Sequence, residues 1–120
     1  MVTITNESVL SIAKWHEETF PDCELADQLT KFDEESKEYE ESNSMEELAD
    51  MFIVACGIAR FDSVIALEYF AEVYKLLKKW KRIATVSVFH MVIDEKMKKN
   101  RSRVWEKTPL GNYHHTNTEA

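Results

Sequence analysis

Between Lys31 and Asp50 the chain reads KFDEESKEYEESNSMEELAD, with nine acidic residues, and two pairs within it share one spacing: Glu35 with Glu38, and Glu47 with Asp50. At about 3.6 residues per helical turn, residues three apart project from one face, so each pair sets two carboxylates side by side on a helix. The polar run Glu41-Ser42-Asn43-Ser44 separates the pairs, and Ser44 followed by Glu47 has the capping-box spacing that starts a new helix. If the two helices fold back on each other across that break, the pairs face one another. Four carboxylates converging on a small volume repel strongly unless a cation neutralises them. Oxygen-only ligands select a hard divalent ion, so the expected cofactor is Mg²⁺ or Mn²⁺, held by Glu35, Glu38, Glu47 and Asp50.

The rest of the composition agrees with helices. Two Gly and two Pro occur in 120 residues, against about fourteen expected from average usage, and 44% of the residues are apolar. The expectation is an all-α fold in a single domain, residues 1–120, built around one core. A net charge of −7 disfavours nucleic acid as a partner, because an acidic surface repels phosphate backbones. The charge is uneven, however: Lys96 to Lys107 holds six basic residues and one acid, material for a phosphate-binding segment. Cys23 and Cys56 lack zinc-ligand neighbours and read as free thiols in a reducing, cytoplasmic setting. No leader pattern and no apolar run of about 20 residues is present, so neither export nor a membrane partner is expected.

Taken in order, Thr5 or Asn6 can cap a first helix carrying Val9, Leu10, Ala13 and Phe20 as apolar positions, up to a turn at Pro21-Asp22. A second helix, about 23–41, puts Leu25, Leu29, Phe32 and Tyr39 on one side and Gln28, Lys31, Glu35 and Glu38 on an adjacent stripe. A third, 45 to about 61, is apolar around most of its circumference. A fourth, about 64–82, follows a cap at Asp62-Ser63 and has Leu67, Phe70, Ala71, Tyr74, Leu77 and Trp80 in helical spacing. Residues 83–93 are rich in β-branched side chains, but Val86, Phe89, Ile93 and Met97 keep a helical period, which favours helix. His90 is expected to pack within it. The C-terminus reads as a basic helix end and then a partly mobile tail over about 108–120.

The sequence resembles the MazG-like all-α nucleoside triphosphate pyrophosphohydrolases. The resemblance is carried by Glu34-Glu35-Ser36-Lys37-Glu38 as EExxE, Glu47-Leu48-Ala49-Asp50 as ExxD, Lys31 ahead of the acids and the apolar MFIVACGIARF after them. Downstream, EKMKKNRSRVW with Gly111, His114 and His115 is similar to the tail of small members of the family, including virus-encoded ones. The resemblance spans about 20–115. It implies a four-helix-bundle-type domain that oligomerises as a dimer or tetramer, and Mg²⁺-dependent cleavage of a (deoxy)nucleoside triphosphate to the monophosphate and pyrophosphate. By position it implies metal ligands at Glu35, Glu38, Glu47 and Asp50, with Glu34 placing water or a second metal. It also implies phosphate contacts from Lys31, Lys96, Asn100, Arg101 and Arg103.

The residue types suit that chemistry independently. Acids hold the cation, basic groups offset the remaining phosphate charge, and a carboxylate accepts a proton from attacking water. The proton acceptor stands open among Glu34, Glu35 and Glu38. Trp15 by stacking, Gln28 by hydrogen bonds, and His16 and Lys31 are candidates for the nucleoside end. A ferritin-like di-iron site needs E-x-x-H, and none of the four histidines follows a Glu by three. The competing reading is a non-catalytic helical interaction module, or a degenerate relative of the family.

Overall fold

Ser8 starts the first helix, α1 (Val9–Thr19): its hydroxyl accepts from the Ser11 amide, and the Ser11 hydroxyl accepts from the Ser8 amide. This reciprocal cap satisfies amides that a helix start leaves without partners, and it stands in place of the cap expected at Thr5 or Asn6. The computed structural model describes residues 7–80, 85–103, 105–107 and 113–115. After the turn at Pro21-Asp22, α2 runs over Leu25–Ser42 and ends at Asn43, whose φ of 51° is left-handed. Asn tolerates that conformation better than most side chains, which lets the chain reverse within two residues. Ser44 then caps α3 (Met45–Ala59) by accepting from the Glu47 amide at 3.2 Å.

Helix α3 is the axis of the molecule. It packs against α1, α2, α4 (Ser63–Leu77) and α5 (Thr85–Ser102), and every residue from Leu48 to Ile58 except Asp50 is buried. An uninterrupted apolar run fits a helix covered on all sides. The reading of 83–93 as helix holds from Thr85 onward, with Phe89, Ile93 and Met97 buried. The chain belongs to the all-α class, and no helix among the described residues is long and apolar enough to cross a membrane.

Several expectations are corrected. Helix α4 ends at Leu77 and tightens into a 3-10 turn over Lys78–Trp80, and its core face is Ala66, Val73 and Leu77 with Phe70 half-buried. Leu67, Ala71 and Tyr74 are exposed instead, as are Leu10, Val86 and His90. Helix α4 carries two apolar stripes and α3 can cover one. The C-terminus is not helical throughout: α5 ends at Ser102, and β1 (Trp105–Lys107) pairs antiparallel with β2 (Tyr113–His115), Trp105 opposite His115. Apart from 113–115, the expected tail over 108–120 lies outside the described residues, as do 81–82 of the expected fourth helix.

Candidate metal centre and ligand cavity

The α2–α3 hairpin brings the acid pairs together. Carboxylate oxygens of Glu35, Glu47 and Asp50 all lie within 4.8 Å of one another. Glu38 does not join this group. Three residues on from Glu35 is about 60° away from the inward direction of α2, and Glu38 sits exposed at the rim, near enough to raise the pKa of both Glu35 and Glu47. Glu34, expected to place water or a second metal, is exposed and is not among the residues that line the cavity described below.

The electrostatics of the group are those of crowded acids. Burial, contact with Glu38 and the Asp50 charge push the Glu35 carboxyl up to about 8, against the pull of Lys31. Glu47 is raised by burial and then by Asp50. Asp50 is raised by burial even though Lys96 pulls it down. Two lysines supply counter-charge: Lys31 Nζ lies 3.4 Å from Glu35 Oε1, and Lys96 Nζ donates to Asp50 Oδ2 at 3.1 Å. Buried polar atoms ordinarily find partners, yet Glu35 Oε2 and Glu47 Oε2 are buried and meet no hydrogen-bond donor among the described residues. Glu35 itself is 8% exposed. Orphaned oxygens in an all-oxygen donor set fit a hard divalent cation such as Mg²⁺ or Mn²⁺.

Beside this group opens a cavity of about 470 Å³. Its charged end is lined by Lys31, Glu35, Glu38 and Asp50, and across from them by Lys96, Asn100 and Arg103. The last three stand four and three residues apart, so α5 and its final turn present them on one face. Arg103 Nη1 donates to Asn100 Oδ1 at 3.3 Å, which joins two of the three. The other end is aromatic. Trp15, Phe20 and Trp105 meet edge to face, with ring centroids 5.1 to 6.2 Å apart.

The floor of the aromatic end is a buried polar chain. Arg60 Nη1 donates to His16 Nδ1 at 3.0 Å and to the Phe20 carbonyl at 2.8 Å. With Nδ1 accepting, His16 Nε2 carries the hydrogen and donates to Gln28 Oε1 at 3.0 Å, while Gln28 Nε2 donates to the Val54 carbonyl at 3.2 Å. Burial and the Arg60 charge lower the His16 pKa to about 4, so the ring is neutral near pH 7. Gly57 makes the approach of α2 feasible: a Cβ there would stand 2.4 Å from Gln28 Nε2 and 3.0 Å from His16 Cδ2.

Trp15, His16, Gln28, Lys31, Glu35, Glu38, Asp50, Lys96, Asn100 and Arg103 are thus gathered at one cavity as the sequence suggested, and Glu47 stands in the acid group behind it. Arg101 is not brought there. Its Nε and Nη2 each donate to Glu7 at 2.9 Å, holding that carboxyl below its usual range and pinning α5 to the start of α1. The sequence marks neither Arg60 nor Gly57 for this cavity, and it gives Cys23 only as a free thiol and Phe20 only as an apolar helix position. The one usable signal was a glycine in mid-helix, where it costs about 1 kcal/mol relative to Ala and so asks for a packing reason. No protein-family model matches the chain, and no curated protein or solved structure matches it.

Proposed function

We propose that the protein is a metal-dependent nucleoside triphosphate pyrophosphohydrolase with a MazG-like bundle, converting a (deoxy)nucleoside triphosphate to the monophosphate and pyrophosphate. The observation that carries this reading is one cavity set against a group of three converging carboxylates, with a row of basic and amide side chains at that end and an aromatic box at the other. A nucleotide has the same polarity, with a polyanion at one end and a flat ring at the other. On this reading Glu35, Glu47 and Asp50 hold Mg²⁺ or Mn²⁺, with Glu38 completing the set from the rim. The bound cation would polarise phosphate oxygens and lower the pKa of water.

The chain's own residues do the rest. Lys31, Lys96, Asn100 and Arg103 offset phosphate charge that the metal leaves uncovered, since a triphosphate carries about four negative charges and a divalent ion cancels two. Glu38 takes the proton of the attacking water, a role supported by its being the exposed one of the three acids that line the cavity, Glu35, Glu38 and Asp50. Attack falls at the α-phosphorus. Trp15, Phe20 and Trp105 enclose the base, and the Arg60–His16–Gln28 chain holds the wall against which it rests. Gln28 and His16 already spend their polar atoms on each other, Arg60, Cys23 and Val54, so they shape the nucleoside end more than they read it. The reading also makes the protein a homo-oligomer of a reducing, cytoplasmic compartment, in keeping with Cys23 and Cys56 as free buried thiols.

Incubating the purified chain with standard and modified (deoxy)nucleoside triphosphates, with and without Mg²⁺ or Mn²⁺, tests it directly. At least one substrate should yield monophosphate and pyrophosphate, and only with metal. Release of inorganic phosphate and a diphosphate would refute the bond assignment, and equal turnover in chelator would refute the metal's role.

A further inference from the structure

Lys96 was expected on phosphate, yet its ammonium sits on Asp50, one of the three converging acids, at 3.1 Å. Lys31 makes the same kind of contact with Glu35 at 3.4 Å. The counter-ions of the acid group are therefore the very side chains that a polyanion in the cavity needs. We infer that Lys96 is an exchangeable cation: it neutralises Asp50 while no metal is bound, is released from Asp50 when a divalent ion binds there, and then serves the anion that occupies the cavity. This inference rests on the reading of Glu35, Glu47 and Asp50 as a metal centre.

The physical argument is one of shared partners. Asp50 Oδ2 cannot serve a divalent ion at about 2.1 Å and an ammonium near 3 Å without bringing two cations within repelling range. A lysine ammonium is a point charge on a long flexible stem, bound by no fixed fork geometry, so it can move away where a bidentate arginine would not. Its side chain is 28% exposed, and it lines the cavity one turn before Asn100 and two turns before Arg103 on the same face. Swinging off Asp50 therefore leaves it among the groups that face the cavity. Metal and anion must then bind with positive coupling, because the metal frees the cation that the anion requires and, by linkage, the anion favours the metal to the same degree.

Such an exchange gives one substitution two effects of opposite sign. In Lys96→Met, Mn²⁺ alone no longer competes with an ammonium for Asp50, so its affinity, read from the electron paramagnetic resonance of free Mn²⁺, should rise about tenfold over the parent chain. The same variant should bind the manganese–pyrophosphate complex about tenfold more weakly, read by calorimetry. Lys96→Gln, which still offers Asp50 a hydrogen bond, should move both quantities in the same directions and guards against misfolding of the methionine variant. Lys98→Met removes an equal charge from an exposed position of α5 and should change neither by more than about twofold. Unchanged or weakened Mn²⁺ binding in both Lys96 variants would overturn the exchange and leave the metal centre standing, as would tightened Mn²⁺ binding with undiminished pyrophosphate binding. A parent chain that binds no Mn²⁺ at millimolar concentration would overturn the metal centre itself, and the exchange with it.

Discussion

At the scale of single residues, the fold holds two buried titratable groups whose effects on stability run in opposite directions with pH. The Glu35 carboxyl rises from an ordinary 4.5 to about 8, so between those values the folded chain binds a proton that the unfolded chain has lost. Its contribution is complete below pH 4.5 and is lost as pH climbs through 8. His16 falls from 6.5 to about 4, so there the unfolded chain binds the extra proton; its contribution is complete above pH 6.5 and is lost as pH drops through 4. The metal-free protein should therefore melt highest near the overlap of these windows, at about pH 5 to 6.5, with Tm falling on both sides. Glu35→Gln should lessen the alkaline fall, of which the raised Glu47 and Asp50 carboxyls keep a part, and raise Tm at pH 8.5, leaving the acid fall intact. Added Mn²⁺ should raise the parent Tm most at alkaline pH, where the crowded carboxylates are ionised and repel one another. Thermal melts across pH 4 to 9 check all three, and a Glu35→Gln chain less stable than the parent at pH 8.5 would make that acid a structural partner.

At the scale of helices, what was legible followed from local rules. The α2–α3 hairpin could be read because acid spacing, a polar break and a Ser cap each act within a few residues. Cavity residues on α5 and just past its end could be read because Lys96, Asn100 and Arg103 stand at helical spacing. Arg101 could not, since its destination depends on Glu7, which lies 94 residues earlier and meets it only once α5 packs beside α1. The two arginines should now part in experiment. Arg103→Ala should lower kcat/KM for the triphosphate by one to three orders of magnitude, about 1.4 kcal/mol per tenfold, whereas Arg101→Ala should change it less than about threefold. Arg101→Ala should cost stability by up to about 1 kcal/mol, the ordinary range for an exposed ion pair. Equal kinetic losses in both would place Arg101 at the cavity after all. Gly57 shows the other limit: its meaning lies in the approach of α2 and α1 to α3. The added methyl of Gly57→Ala must displace Gln28 from His16 and the Val54 carbonyl. The expected cost is about 1 to 3 kcal/mol, despite the better helix propensity of Ala, with KM rising more than kcat falls. A variant as stable as the parent, with unchanged KM, would show that the Gln28 contacts hold nothing in place.

At the scale of the whole molecule, the second apolar stripe of α4 asks for a cover that the described residues do not supply. Val64, Leu67, Ala71 and Tyr74 follow one another at three, four and three residues, one face of the helix, and Val64 and Leu67 are 72% and 65% exposed. The core stripe of α4, with Ala66, Val73 and Leu77, lies about 110° around the helix and already fills the core, so rotating the helix would only trade one exposed stripe for the other. Here the sequence could not say which stripe faces inward, because both have helical period and only the packing against α3 decides. A self-complementary stripe on a helix is the usual raw material of a two-fold interface, where the same patch serves both copies. No residue of α4 lines the cavity, which is built from α1, α2, α3, α5 and β1, so such an interface would leave each cavity whole. The parent chain should therefore scatter light as a dimer or larger at micromolar concentration. Leu67→Glu should shift it to monomer with its helical circular dichroism preserved and turnover per chain within about threefold, since the substitution puts a charge in the contact and touches no cavity residue. A parent that scatters as a monomer would show that the stripe is simply solvated. An oligomer that survives Leu67→Glu unchanged would move the interface to the other exposed apolar side chains, Val86, Val88 and Met91 on α5.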